Sequence, residues 1–169
     1  MGRDFDALAD RVRQIHLRAG HWRYNGEVEV ERGRGVLSRC FAFATRLPPS
    51  GRGALNVDIH GDADGERWQR HVGGHVMPSR LWRADGLLCE RLGLVRFGFR
   101  LSAHDGALHW RVVRVHALGI PLPSSWFAGV RAREYSEQGR YHFDVRAALP
   151  GVGLLVHYRG SLDEGRPVG

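Results

Sequence analysis

The sequence contains no lysine: all 25 of its basic residues are arginine. Against 18 acidic residues they give a formal net charge of +7. A balance of that sign ordinarily points to nucleic acid or acidic membrane surfaces. Here the arginines are spread along the chain, often beside an acidic neighbour, rather than massed in a block. The chain is also rich in Gly, Ala and Val, so the arginine bias reflects a GC-rich genome as much as phosphate recognition. Nucleic acid is therefore not expected as a partner. Cysteine is scarce too. Cys40 and Cys89 supply neither a CxxC motif nor a disulfide framework. Both sit among apolar neighbours and are expected to be buried free thiols in a reducing compartment. No apolar run approaches the roughly 18 residues of a membrane-spanning helix. The opening residues Met1 to Asp6 are charged and lack the apolar core of a signal peptide. Asp6 stands where a myristoylation signal has Ser or Thr. The expectation is a cytoplasmic protein with no membrane span.

Motifs that carry chemistry are missing as well. No GxGxxG follows a strand, and neither HExxH nor a GxSxG elbow occurs. His71 and His75 are four residues apart, but Gly73 and Gly74 between them deny the helix that would make such a pair a metal clamp. No metal or cofactor is expected.

What is present is a grammar of strands and turns. The 169 residues, 43% hydrophobic and 25% charged, suit a single folded domain spanning 1–169. Leu92 to Leu118 sets the pattern. Val95, Phe97, Phe99 and Leu101 alternate with Arg96, Gly98, Arg100 and Ser102, a half-buried strand. Asp105-Gly106 then supplies a tight hairpin turn, and Leu108, Trp110 and Val112 continue the alternation. Before this region two helices are expected, at about 4–19 and about 36–46, with a strand at about 26–32 between them. Asp4 would cap the first helix, whose stripe is Phe5, Leu8, Val12 and Ile15, and Gly20 would end it. The second helix has the stripe Val36, Leu37, Cys40, Phe41 and Ala44 and is stopped by Pro48-Pro49. Antiparallel strands fill about 54–162, joined nearly everywhere by Gly-containing turns, and a frayed tail occupies 163–169.

Nine to ten sequential strands form a meander that must curl, because an open sheet of that length leaves long exposed edges. The expected fold is mainly β, a barrel or half-barrel with two N-terminal helices. It resembles the calycin barrels and the lipoprotein-carrier half-barrels, which wrap a sheet around an apolar cavity. The helix-grip fold is a poorer match, since it needs a long C-terminal helix.

Six segments carry a closer resemblance: Gly33 to Arg39 (GRGVLSR), Gly65 to Trp68 (GERW), Leu94 to Leu101 (LVRFGFRL), Gly119 to Pro123 (GIPLP), Phe143 to Val145 (FDV) and His157 to Gly160 (HYRG). In order and spacing they resemble a family of bacterial domains of unknown function, numbered 4166. The resemblance implies a domain found alone or fused behind reductase-like modules of the saccharopine-dehydrogenase type. It supplies no catalytic residues.

Candidate site residues come from the strands. Trp68, Trp82, Phe97, Phe99, Trp110, Tyr141, Phe143 and Tyr158 are placed to share one concave side, although plain core packing explains most such aromatics. Val112-Val113 breaks the alternation: either a bulge turns the strand, or Arg114 and His116 share the face of Trp110. Arg131, Arg133 and Tyr135 share a face of their strand. Inward arginines beside a tyrosine would hold a carboxylate at the bottom of an apolar pocket. The ligand-site candidates are thus Trp82, Phe97, Phe99, Arg100, Trp110, Arg133, Tyr135 and Tyr158. Glu90, His116 and Glu134 are candidates for acid–base chemistry. The apolar loop with Ile120, Leu122 and Trp126 is read three ways: a lid, a partner surface, or a plug for the core.

The favoured function is non-catalytic binding of a small hydrophobic or amphipathic molecule in a barrel cavity, in a role accessory to an oxidoreductase. Two alternatives are a cofactor-independent isomerase or cyclase using the same cavity, and an interaction module with a filled core.

Overall fold

The computed structural model describes residues 8–168 and is a closed antiparallel barrel. Its elements in chain order begin with α1 (Asp10–Leu17), β1 (Gly20–Arg32) and α2 (Val36–Thr45). They continue with β2 (Gly51–Asp62), β3 (Gly65–Val72), β4 (His75–Ala84), β5 (Leu87–Leu92), β6 (Val95–His104) and β7 (Ala107–Ala117). The last are β8 (Ile120–Leu122), a 3₁₀ turn at Ser124–Phe127, β9 (Arg131–Glu137), β10 (Arg140–Leu149), β11 (Gly153–Leu162) and β12 (Arg166–Pro167). Each barrel strand pairs with its sequence neighbour, apart from β9, which pairs with β7. The pairing of β1 with β11, from Gly26 opposite Leu162 to Arg32 opposite Val156, closes the ring. Closure removes the edges that a long meander would expose. The short β8 lies on the end of β7, and β12 lies on the start of β1.

Tight turns make this meander possible. Asp105 (φ 52°) and Gly106 (φ 70°) both have positive φ, the form of a two-residue turn whose twist matches that of paired strands. The same pairing of signs recurs at Asp85-Gly86 and Gln138-Gly139. The irregularity at Val112-Val113 is a bulge: Phe99 faces Val112 while Gly98 faces Arg114. Trp110, Val112 and Val115 therefore all point inward, and Arg114 points out to Asp85 at 2.7 Å.

The two helices close the two ends of the barrel. At one end lie the β2–β3, β4–β5, β6–β7 and β9–β10 turns and α1. The Ala9 N–H donates to Gly106 O, the Arg11 side chain donates to Gly139 O, and Val12 and Ile15 are buried. Asp4 and Phe5 fall outside the described residues, and no side chain caps the start of this helix. At the other end α2 runs from the start of β11 to the β5–β6 turn. Ser38 Oγ donates to Leu154 O, Leu94 N–H donates to Ala44 O, and His75 bonds Arg46 O.

Three expectations are corrected. First, α2 is turned from its expected orientation: Ser38, Ala42 and Thr45 are its buried residues, whereas Val36, Leu37, Cys40 and Phe43 are exposed. Small inward residues let the helix approach the barrel closely, and Ser38 and Thr45 satisfy their hydroxyls on Leu154 O and Phe41 O. Cys40 is thus an exposed thiol, while Cys89 is buried and burial raises its pKa. Second, the tail does not fray: Asp163 N–H donates to Asn25 O, Val168 N–H donates to His21 O, and Arg166 and Pro167 pair with β1. Third, the strands do not fill 54–162 without a break: Ser124–Phe127 forms a 3₁₀ turn, and β9 begins only at Arg131.

Candidate functional site

The barrel interior is filled on one side and hollow on the other. On the side of β5 to β8, Phe97, Phe99, Trp110 and Phe127 interlock, with ring centroids 5.3–6.3 Å apart. On the side of β1 to β4 and β9 to β11, the inward residues are mostly aliphatic: Val28, Val30, Leu55, Val57, Val72 and Val145. These are too short to meet at the axis, and they leave a cavity of about 60 Å³. That volume holds about four to six water-sized atoms. Pro48, just after α2, forms part of the lining at that end.

Two charged side chains line the cavity, Arg70 and Glu134, and each has a partner behind it. Arg70 alternates with Trp68 and Val72 on the inward face of β3. Its guanidinium donates to Ser79 Oγ at 2.8 Å and Glu90 Oε1 at 3.3 Å, and it lies 4.8 Å from the Trp68 ring centroid. A guanidinium has five N–H donors, so these contacts leave others for a ligand. Glu134 comes from β9, and its Oε2 lies 2.6 Å from Nε2 of His16, which α1 carries into the barrel. The imidazole sits 6.2 Å from both the Trp68 and the Trp110 rings. Burial alone would lower the proton affinity of His16. The Glu134 carboxylate outweighs burial, and Glu66 adds to it, so the imidazole titrates above its ordinary range. Beside Glu134, the Tyr141 phenol is driven well above its usual range by burial first and by the carboxylate second. Tyr158 faces the same space and is pushed up to about 12, chiefly by burial. Both phenols are therefore neutral hydrogen-bonding groups at physiological pH.

The expected site residues separate sharply. Tyr158 lines the cavity, with Tyr141, Phe143 and Trp68 near it. Phe97, Phe99 and Trp110 point inward but belong to the filled side. Trp82 is on the outer wall, where it shares a shallow groove with Arg80 and Arg91. The inward arginines are corrected. Arg100 and Arg133 are exposed, and Arg133 stacks on the outer face of Tyr135 at 4.6 Å, while Tyr135 itself stacks on His142 at 5.3 Å. The parity of β9 decides this, because Glu134 takes the inward position. His116 also lies on the outer wall, in the Trp82 groove. The loop after β7 is divided: Leu122 packs on the core and Phe127 is buried, but Ile120 and Trp126 are exposed, and none of them lines the cavity.

His16 and Arg70 were not among the expected site residues, yet each carried a signal. His16 lies four residues after Val12, on the buried face of α1, and Arg70 keeps the parity of Trp68 and Val72. A charged residue in phase with a buried face marks an interior position.

The fold and site define a closed β-barrel with a small, partly polar internal cavity. Residues 8–162 match the model of the domain of unknown function DUF4166, and the chain belongs to that family. No curated protein matches it significantly.

Proposed function

We propose that this barrel binds a small, chiefly apolar molecule that presents one hydrogen-bond acceptor to Arg70 and Tyr158. The carrying observation is the cavity on the hollow side, apolar along its walls and furnished with an arginine that has donors to spare. The interior charges are matched, His16 with Glu134 and Arg70 with Glu90, which favours a neutral or weakly polar head over a strongly charged one. An exposed free thiol at Cys40 supports a reducing, cytoplasmic setting.

Native mass spectrometry of the protein purified from its own host, with NMR titration by xenon and small apolar probes of no more than about six heavy atoms, tests the reading. Val57→Phe fills the hollow side and should abolish probe binding, whereas Val113→Phe on the opposite wall should not. Equal binding by wild type and Val57→Phe would sink the proposal.

Glu134 supports a second reading, an isomerase-type general base. It is a carboxylate that lines the cavity and is positioned by His16 at 2.6 Å. Exchange of a carbon-bound proton of the bound ligand with deuterated solvent, lost in Glu134→Gln, would favour it; an absence of exchange in the wild type would reject it.

A further inference from the structure

The two ends of the barrel differ in surface chemistry. Of the nine large hydrophobic residues that stand exposed among the described residues, all but Leu17 lie at the α2 end. Leu37 and Phe43 project from α2, Leu94 from the β5–β6 turn, Leu118 from the β7–β8 turn, Ile120 from the start of β8, and Trp126 from the 3₁₀ turn beyond. Phe43 is 83% exposed and Leu118 73%. These tips form one surface, because Leu94 N–H donates to Ala44 O at 2.9 Å and Leu118 N–H donates to Leu94 O at 3.0 Å. No described residue covers it.

Arginines are interleaved with the apolar tips. Arg39 shares α2 with Leu37 and Phe43, Arg46 follows the helix directly, Arg34 precedes it, and Arg91 and Arg96 flank Leu94. All five are exposed, and among the described residues none is ion-paired to a carboxylate. Across 31–50, 71–80, 91–96, 116–131 and 146–157, the segments that build this end, Glu31 is the sole acidic residue. The turns at the opposite end carry Asp62, Asp64, Asp85, Asp105 and Glu137. Some arginines there are ion-paired, as in Arg11 with Glu164 at 3.1 Å and Arg140 with Asp163 at 2.8 Å.

We propose that the α2 end docks on an anionic lipid surface. A row of separate apolar tips, one of them a tryptophan, set among unpaired arginines, matches an interface in which headgroup phosphates surround shallow apolar insertion. The excess of positive charge at the α2 end, against a near-balanced far end, orients the barrel as it approaches a negative surface. The occupant is a bilayer rather than a protein because the apolar groups come from a helix and three separate turns, with cations between them, instead of lining one pocket. Pro48, just beyond α2, lines the cavity, so this orientation turns that part of the cavity wall toward the membrane. Docking stands whether or not the cavity takes a ligand.

The test is co-sedimentation of the full chain with phosphatidylcholine vesicles, with and without phosphatidylglycerol. Binding is expected only to the anionic vesicles and should fall as salt is raised. Arg39→Gln combined with Arg46→Gln should lower partitioning about thirtyfold, at roughly one basic contact's worth for each residue removed. Phe43→Asp should lower it comparably, while Asp105→Asn at the far end should leave it unchanged. These side chains are exposed, so circular dichroism and the thermal midpoint should match wild type. Quenching by brominated lipid should fall in Trp126→Phe. Absence of sedimentation, equal binding to neutral vesicles, or a Phe43→Asp variant that binds as wild type would each overturn the proposal. So would a purified protein partner that competes for this face while vesicles do not bind.

Discussion

The filled and hollow sides of the barrel are built from the same antiparallel strands with the same inward–outward alternation, yet one is solid and the other encloses a cavity. The difference is the size of the inward side chain. Phe97, Phe99, Trp110 and Phe127 reach across the axis and interlock, whereas Val28, Val57 and Val145 stop short of it. Polar groups follow the space. The two buried ion pairs, His16–Glu134 and Arg70–Glu90, lie where the aliphatic wall leaves room for them. Alternation thus tells which residues face inward, and residue volume tells what the interior becomes.

Breaking the polar part of the hollow side should have the largest effect. Glu134→Ala removes the partner of a buried imidazole and should cost about 3–5 kcal/mol, read as a fall in the urea midpoint with an unchanged slope. Phe99→Ala on the filled side should cost about as much, roughly 3–5 kcal/mol, through the void it leaves among interlocked rings. Adding volume should separate the two sides. Val112→Phe, placed against the packed rings, should cost about 1–3 kcal/mol through overpacking. Val57→Phe has a cavity to enter and should stay within about 1 kcal/mol of wild type. Equal penalties for the two Phe variants would mean that the hollow side closes in solution.

Much of this architecture was readable in the sequence. Period-2 runs and Asp-Gly or Gly-Gly turns gave the meander and the curl that closes it, and the break at Val112-Val113 marked the bulge. The site was less legible. Arg133 lies outside because β9 has the opposite parity to the one expected, and a one-residue slip sends every side chain of a strand to the other face. Nothing local fixes that parity on a strand with arginines at both Arg131 and Arg133. Pairing does, since Glu134 stands opposite Leu108 and Phe143, both buried. The orientation of α2 failed for a different reason. Hydrophobicity predicts a buried stripe, whereas close approach to the barrel end required small residues, so Ser38, Ala42 and Thr45 took the inward face.

The His16–Glu134 pair sharpens the comparison through pH. In the folded state the imidazole titrates above its ordinary value. A group with a raised folded pKa contributes its full stabilisation below the unfolded value, near 6.5, and loses it as pH rises through the folded value. The thermal midpoint should therefore decline from mildly acid pH upward through neutrality and then level off. His16→Asn should flatten that limb, and a limb unchanged in the variant would assign the titration to another group.

The smallest effect should come from Arg133→Ala. Its guanidinium stacks on Tyr135 at 4.6 Å on the outer wall, where a cation–π contact exposed to water contributes about 0.5–1 kcal/mol. Stability should shift by no more than that, and binding of an apolar probe should not change, because no atom of Arg133 lines the cavity. Arg70→Met is the matched experiment inside. It keeps the length of the side chain and removes the donors, so it should weaken carbonyl-bearing probes selectively and leave hydrocarbon probes nearly untouched. It also leaves Glu90 buried without its cation, so its loss of stability should exceed that of Arg133→Ala. If the two arginine variants affected probe binding alike, the anchor would not be Arg70, and the distinction between the inner and outer arginines would carry no functional meaning.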